Sequence, residues 1–109
     1  MWPFHNVNPH QAGAMDDRAN SLERLKQAHT FPGPYRLKAI GENSAEFVAR
    51  VMQAVILVLG PKSLPHIETR QSAQGKHQSV NLTVQVAEAE QVLKLYDALR
   101  GVVGVRFLL

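Results

Sequence analysis

The strongest constraint on the fold is a strict alternation of apolar and polar residues over 79–86, SVNLTVQV. Successive side chains of a β-strand point to opposite faces, so the apolar residues of this segment share one face and the polar residues share the other. A strand of this kind belongs in a sheet that has one covered face and one open face. The rest of the chain must therefore supply further strands and a layer that covers the apolar face.

The neighbouring segments predict that layer and those strands. Tyr35–Ile40 alternates apolar and basic residues, and a glycine-containing loop at Gly75 joins a polar strand to the alternating one as an antiparallel hairpin. Two amphipathic segments predict helices, the first opened by a capping box of Asn43 and Glu46. The predicted strands span 35–41, 65–72, 78–87 and 103–108, and the predicted helices span 44–59 and 88–100.

The element order is βαββαβ, which is the ferredoxin-like, split βαβ arrangement of an α+β domain. Right-handed crossovers place both helices on one face of a four-stranded antiparallel sheet. We expect the first and third strands to be central. The polar strand should lie at an edge, where Glu68 and Arg70 would discourage uncontrolled pairing with other strands.

Residues 1–20 have no apolar period and contain two prolines, one glycine and three asparagines. We expect them to be a flexible N-terminal tail, followed by a single domain over residues 21–109. Asn20 or Ser21 is expected to cap a short helix that ends at Phe31–Pro34.

Composition excludes several classes of function. The 109 residues include no cysteine, which removes disulfides, thiolate nucleophiles, iron–sulfur clusters and cysteine zinc sites. The longest mainly apolar run, Phe47–Leu59, is too short for a bilayer of about 30 Å, so no membrane association is expected. Since the N-terminus does not resemble a secretory signal, we expect a cytoplasmic protein.

No motif predicts catalysis, so we expect neither an enzyme nor a cofactor or metal. The five histidines lack the spacing of a metal site, although His66 and His77 flank the hairpin and could approach each other across it. Glu88 and Glu90 are explained by a helix start, where acidic side chains favour the helix dipole. No Gly-x-Ser-x-Gly elbow or phosphate-binding loop is present.

The open face of the predicted sheet is the candidate partner surface. If Leu37 and Ala39 face the helices, their neighbours on that strand point outward, and Leu108 emerges beside them with a basic residue of the last strand. The candidate residues are Arg36, Lys38, Ile40, Arg70 and Arg106. Three interpretations stay open: a solvated face, a surface for a partner or a second copy, and an RNA surface, the last disfavoured because residues 79–85 hold no aromatic side chain.

Three segments carry a family resemblance: Phe31–Gly41, Ser72–Val80 and Val105–Leu109. They resemble the YbeD family of small bacterial proteins over about residues 22–109, although His77 stands where that family has tyrosine. The resemblance implies a ferredoxin-like fold similar to the ACT-type regulatory domain of phosphoglycerate dehydrogenase. It supplies no catalytic residue, and it implies ligand sites at interfaces, with the Gly41–Asn43 loop as the candidate.

These observations together predict a non-enzymatic regulatory or protein-interaction module with an unidentified protein partner, and leave small-ligand binding open. The alternative is weak anion or nucleic-acid binding through a basic sheet face, because residues 31–109 carry nine basic against six acidic side chains. Nucleic acid is the less expected partner, since the basic residues form no run. A weak homodimer is expected at high concentration, because the open face and the sheet edges can pair.

Overall fold

The computed structural model describes the backbone from Pro9 to Leu109 and the side chains from Asp17 onward. It divides the chain into two compact units, one up to Thr30 and the other Phe31–Leu109. The elements are α1 (Pro9–Ala28), β1 (Gly33–Glu42), α2 (Ala45–Leu59), β2 (His66–Gln71), β3 (His77–Val86), α3 (Ala89–Arg100) and β4 (Val105–Leu108).

The first unit contains α1, which differs from the sequence prediction. Residues 9–20 are helical instead of irregular, so the prediction that a helix begins at Asn20 or Ser21 is wrong. Intrinsic propensity explains the difference: residues 9–20 include three alanines together with Gln11, Met15 and Arg18, all good helix formers, and Pro9 occupies the first helical position, where a missing N–H costs nothing. Residues 1–8 lie outside the described part, and the mobility of residues 1–20 stays a prediction. The second compact unit spans Phe31–Leu109, and the single domain over residues 21–109 stays a prediction.

The sheet of the second unit has the strand order β2-β3-β1-β4, and every neighbouring pair is antiparallel. The β1–β3 ladder runs from Gly33 opposite Val86 to Glu42 opposite His77. The predicted α+β fold is therefore confirmed, with the first and third strands at the centre and the polar strand at an edge.

The core lies between the sheet and the pair α2 and α3. The apolar residues of the alternating segment are at most 2% exposed, as the alternation requires. From the helices, the largest fully buried side chains are those of Phe47, Val51, Val55, Val92, Leu95 and Leu99. The opposite face of the sheet, hereafter the outer face, is covered by no element of residues 31–109.

Among the described residues, no helix combines the length and the apolar character that a bilayer span requires.

The start of α2 is shifted by one residue from its predicted cap. Ser44, not Asn43, is the N-cap, and its Oγ accepts a hydrogen bond of 3.1 Å from the Phe47 amide. Asn43 instead donates from its side-chain amide to the carbonyl of Gly75, 2.9 Å away. This contact explains why the predicted cap is wrong. The side chain of Asn43, which was predicted to cap α2, bonds to Gly75 instead.

A bulge interrupts the β1–β4 ladder between Ile40 and Gly41. Ala39 pairs with Leu108 and Ile40 pairs with Phe107, so Leu108 shares the helix-covered face and Phe107 shares the outer face. The prediction that Leu108 points outward is therefore wrong, because the extra residue in β4 reverses the alternation.

Candidate functional site

The strand register arranges the side chains of the outer face in rows that cross the sheet. One row contains Arg70, Ser79, Ile40 and Phe107, which are cross-strand neighbours in that order. The next row contains Glu68, Asn81 and Lys38 and reaches Leu109 through two backbone hydrogen bonds of Lys38, 3.0 and 2.9 Å long. The third row contains His66, Thr83 and Arg36.

The second and third rows line a shallow depression of about 550 Å³. Its polar lining comes from three strands, and its basic side chains come from β1, at the centre of the sheet. The lining side chains that matter for charge are Arg36, Lys38, His66 and Glu68. A ligand in this depression would therefore contact cations in its middle.

Cations outnumber carboxylates in the lining of the depression, which holds Arg36 and Lys38 against Glu68. Among the residues that the structure describes, Arg36, Lys38 and Arg70 take part in no ion pair. Glu68, the carboxylate of the depression's lining, accepts a contact of 3.0 Å from His66 Nε2. The depression thus keeps two unpaired cations, and Arg70 adds a third in the adjoining row.

An apolar strip borders the cations along β4. Phe107 is 65% exposed and Leu109 is 67% exposed, and Phe107 neighbours the half-buried Ile40. Phe107 was not predicted to lie on the outer face, because a regular alternation over residues 105–108, without a bulge, would place it on the helix side. The glycines at 41 and 104 were the available signal, since bulges favour glycine.

The structure brings four of the five predicted partner-surface residues onto the outer face: Arg36, Lys38, Ile40 and Arg70. Arg106 is exposed, but it lies at the bulge, where no cross-strand partner assigns it to that face. Phe107 lies beside Ile40, on the side of the outer face where Arg106 was predicted. The face is therefore more apolar at its β4 side than expected.

The two hairpin histidines do not come together. His66 lies opposite Thr83, whereas His77 lies opposite Glu42 at the other end of β3. The expectation that they could approach each other is wrong, because both stand at strand starts and the strands run antiparallel. Within the described part of the chain, no three His, Asp or Glu side chains group as metal ligands would.

The loop candidate Gly41–Asn43 is braced by its own chain. The side-chain amide of Gln78, which is 6% exposed, donates to the carbonyls of Glu42 and Ser44 at 3.1 and 2.8 Å. Arg50 donates to Glu42 Oε1 at 3.2 Å and to the carbonyl of Val103 at 2.8 Å. The polar groups of this turn are engaged internally, so the outer-face depression offers the more available partners.

Two tyrosines link β1 to α3. The rings of Tyr35 and Tyr96 meet edge to face with centroids 6.4 Å apart, and their hydroxyls are 3.3 Å apart. The Tyr96 hydroxyl also donates to the main-chain oxygen of Leu109 at 3.3 Å. Burial, and then the hydrogen bond with Tyr35, raises the pKa of Tyr96 well above its usual value, so this hydroxyl remains a neutral donor.

Comparison with known proteins places this chain in a family. The sequence model of a family described as "Protein of unknown function (DUF493)" matches residues 26–109. The chain belongs to the DUF493 family. A UPF0250 protein of Klebsiella pneumoniae (strain 342) and the UPF0250 protein YbeD of Salmonella arizonae are each 29% identical to it over 86 residues. Each match covers 79% of this chain and 97% of the relative, which confirms the YbeD resemblance.

A solved structure confirms the ACT-like architecture. The ACT domain from the GTP pyrophosphokinase of Chlorobium tepidum superposes with a TM-score of 0.51 at 19% identity. The match covers 70% of this chain and 94% of that domain. At this identity the likeness concerns the fold, and it assigns no ligand to this chain.

Proposed function

We propose that the chain is a non-enzymatic protein-interaction module, with a regulatory role, that engages a protein partner through the outer face of its sheet. The observation that carries the proposal is the exposed Phe107 beside Ile40, in a row that also holds the unpaired Arg70. Aromatic residues and arginine are enriched in protein interfaces, where they contribute most of the binding energy.

The position of the apolar side chains supports the same proposal. Isolated exposed apolar residues are common on protein surfaces and need no explanation. Here Phe107 and Leu109 follow one another on one face and continue onto Ile40 of the central strand. A continuous apolar strip next to unpaired cations has the composition of an interface that combines a hydrophobic centre with a charged rim.

Site-specific photo-crosslinking in cells tests the proposal. The full chain carries benzoylphenylalanine in place of Phe107, and the control carries it in place of Leu57, which is 80% exposed on α2. We expect discrete crosslinked species from position 107 and not from position 57. Substituting Ile40→Glu in the first variant should abolish those species. Crosslinks that are the same from both positions, or none from position 107, would refute the proposal.

The alternative function is weak anion or nucleic-acid binding, and it is favoured by Arg36, Lys38 and Arg70, which have no ion-pair partner among residues 17–109. Three phosphate contacts predict that the logarithm of the affinity for single strands falls with the logarithm of salt concentration with a slope of about −2. Retention on immobilised RNA with that slope, lost in Arg36→Gln/Lys38→Gln, would support the alternative. Retention that does not depend on salt would exclude it.

A further inference from the structure

We propose that the depression of the outer face binds an acidic, partly apolar segment of a protein partner. Its carboxylates would contact Arg36 and Lys38, and one of its apolar side chains would contact Ile40 and Phe107. This inference rests on the proposed interaction function and names the chemistry of the partner.

Charge complementarity is the first argument. Arg36 and Lys38 face into the depression without a carboxylate partner among the described residues, and Glu68 in its lining is already in contact with His66. Arginine and lysine bind carboxylates through charge-assisted hydrogen bonds, which are stronger than neutral ones. An acidic segment therefore supplies carboxylates to the two cations that have no such partner among the described residues.

The geometry sets the length and the order of the segment. Residues rise by about 3.3 Å along a strand, so Arg36 and Ile40 lie about 13 Å apart along β1. An extended segment of about four to six residues spans that distance. The cations line one end of this path, and the apolar pair Ile40 and Phe107 lies at the other. The segment should accordingly carry its carboxylates and its apolar side chain at opposite ends.

Two other occupants fit the face less well. A second copy placed face to face would bring two clusters of Arg36, Lys38 and Arg70 together, and like charges in contact oppose association. A single-stranded nucleic acid needs aromatic side chains on which its bases stack. On the central strands, the outer-face positions from 36 to 40 and from 79 to 85 hold no aromatic residue, and Phe107 lies on an edge strand.

Fluorescence anisotropy with the full chain tests the inference. The probe is a labelled synthetic peptide of about six residues with Glu in its first half and Leu in its second. Two comparison probes are the same peptide with Gln for every Glu and a labelled oligothymidine. The test variant is Arg36→Gln/Lys38→Gln, and the control variant is Lys62→Gln/Lys94→Gln, which removes the same charge from exposed positions outside the depression.

We expect the acidic peptide to bind the wild type and the control equally and to bind the test variant at least about fivefold more weakly, as two exposed ion pairs imply. The glutamine peptide should bind about fivefold more weakly than the acidic peptide to the wild type. Three results would overturn the inference: both variants weaken binding of the acidic peptide equally, the peptide does not bind at millimolar concentrations of the protein, or oligothymidine binds more tightly than the peptide. Sedimentation that shows a dimer lost in the test variant, without peptide binding, would assign the face to a second copy.

The two proposals fail in different ways. If position 107 forms crosslinks but the acidic peptide binds the two charge variants equally, the proposed interaction function is supported and the proposed acidic partner segment is refuted. If crosslinking fails, both fall, because the second depends on the first.

Discussion

Replacing Gln78 by methionine removes the one buried polar side chain among residues 17–109 while keeping a similar volume. Gln78 donates two hydrogen bonds, to the carbonyls of Glu42 and Ser44, at the junction of β1 and α2. Each hydrogen bond contributes about 0.5–1.5 kcal/mol net to stability, so their joint loss should cost about 1–3 kcal/mol. For a unit of this size, that loss lowers the Tm by about 4–24 °C.

The matched control is Gln85→Met, because Gln85 is the same residue type on the same strand but is exposed on the outer face. Urea unfolding followed by circular dichroism gives the free energy of unfolding of each variant, with equal m values showing that the unfolded surface is unchanged. We expect Gln85→Met to stay within about 0.5 kcal/mol of the wild type. If Gln78→Met were no less stable than Gln85→Met, the bracing of the β1–α2 turn by Gln78 would be refuted.

Three further predictions concern single positions. Gly41→Ala should destabilise the domain by about 1–3 kcal/mol in the same urea assay, because the new Cβ would collide with the Gly104 carbonyl and the Phe47 ring. Gly101→Ala, whose Cβ meets only an ordinary contact, should stay near the wild type. The pKa of Tyr96 is higher in the folded than in the unfolded chain. Its contribution to stability is therefore complete at pH values below the ordinary tyrosine pKa and is lost as the pH rises above that value. Tyr96→Phe should flatten the alkaline fall in stability, and an unchanged pH profile would contradict this assignment. For residues 1–20, low backbone order parameters in NMR relaxation would support the predicted mobility, whereas rigid values would show that the helical part from Pro9 is ordered in solution.

The sheet and its two covering helices could be predicted because their signals are periodic and local. The alternation through β3 and the apolar stripe of α2 each report a buried face directly, and the glycines at 60 and 101 end the helices. The first part of α1, residues 9–20, was missed because the helix lacks such a face, so that propensity was its main signal. The predicted N-cap of α2 was wrong because the side chain of Asn43 bonds to the carbonyl of Gly75. No local sequence pattern reveals a contact between residues 32 positions apart.

The candidate surface depends on a single inserted residue in the last strand. Without the bulge, the ladder would continue from Gly41 opposite Val105 to Ile40 opposite Arg106, and the outer face would carry Arg106 and Leu108. The bulge advances the register by one, so Phe107 and Leu109 occupy those places, and the face gains an aromatic side chain where it would have had another cation.

The bulge itself requires close backbone packing. Glu42 donates its amide to the Gly104 carbonyl at 3.1 Å, and Gly104 has a positive φ of 98°. A Cβ at Gly41 would meet that same carbonyl, so glycine at 41 permits the approach that shifts the register. The prediction for Gly41→Ala therefore extends beyond stability: if the variant folds with a straightened ladder, Phe107 turns toward the helices, and crosslinking from position 107 should disappear. Persistent crosslinking in a Gly41→Ala variant whose ladder is straightened would show that the bulge does not control the surface.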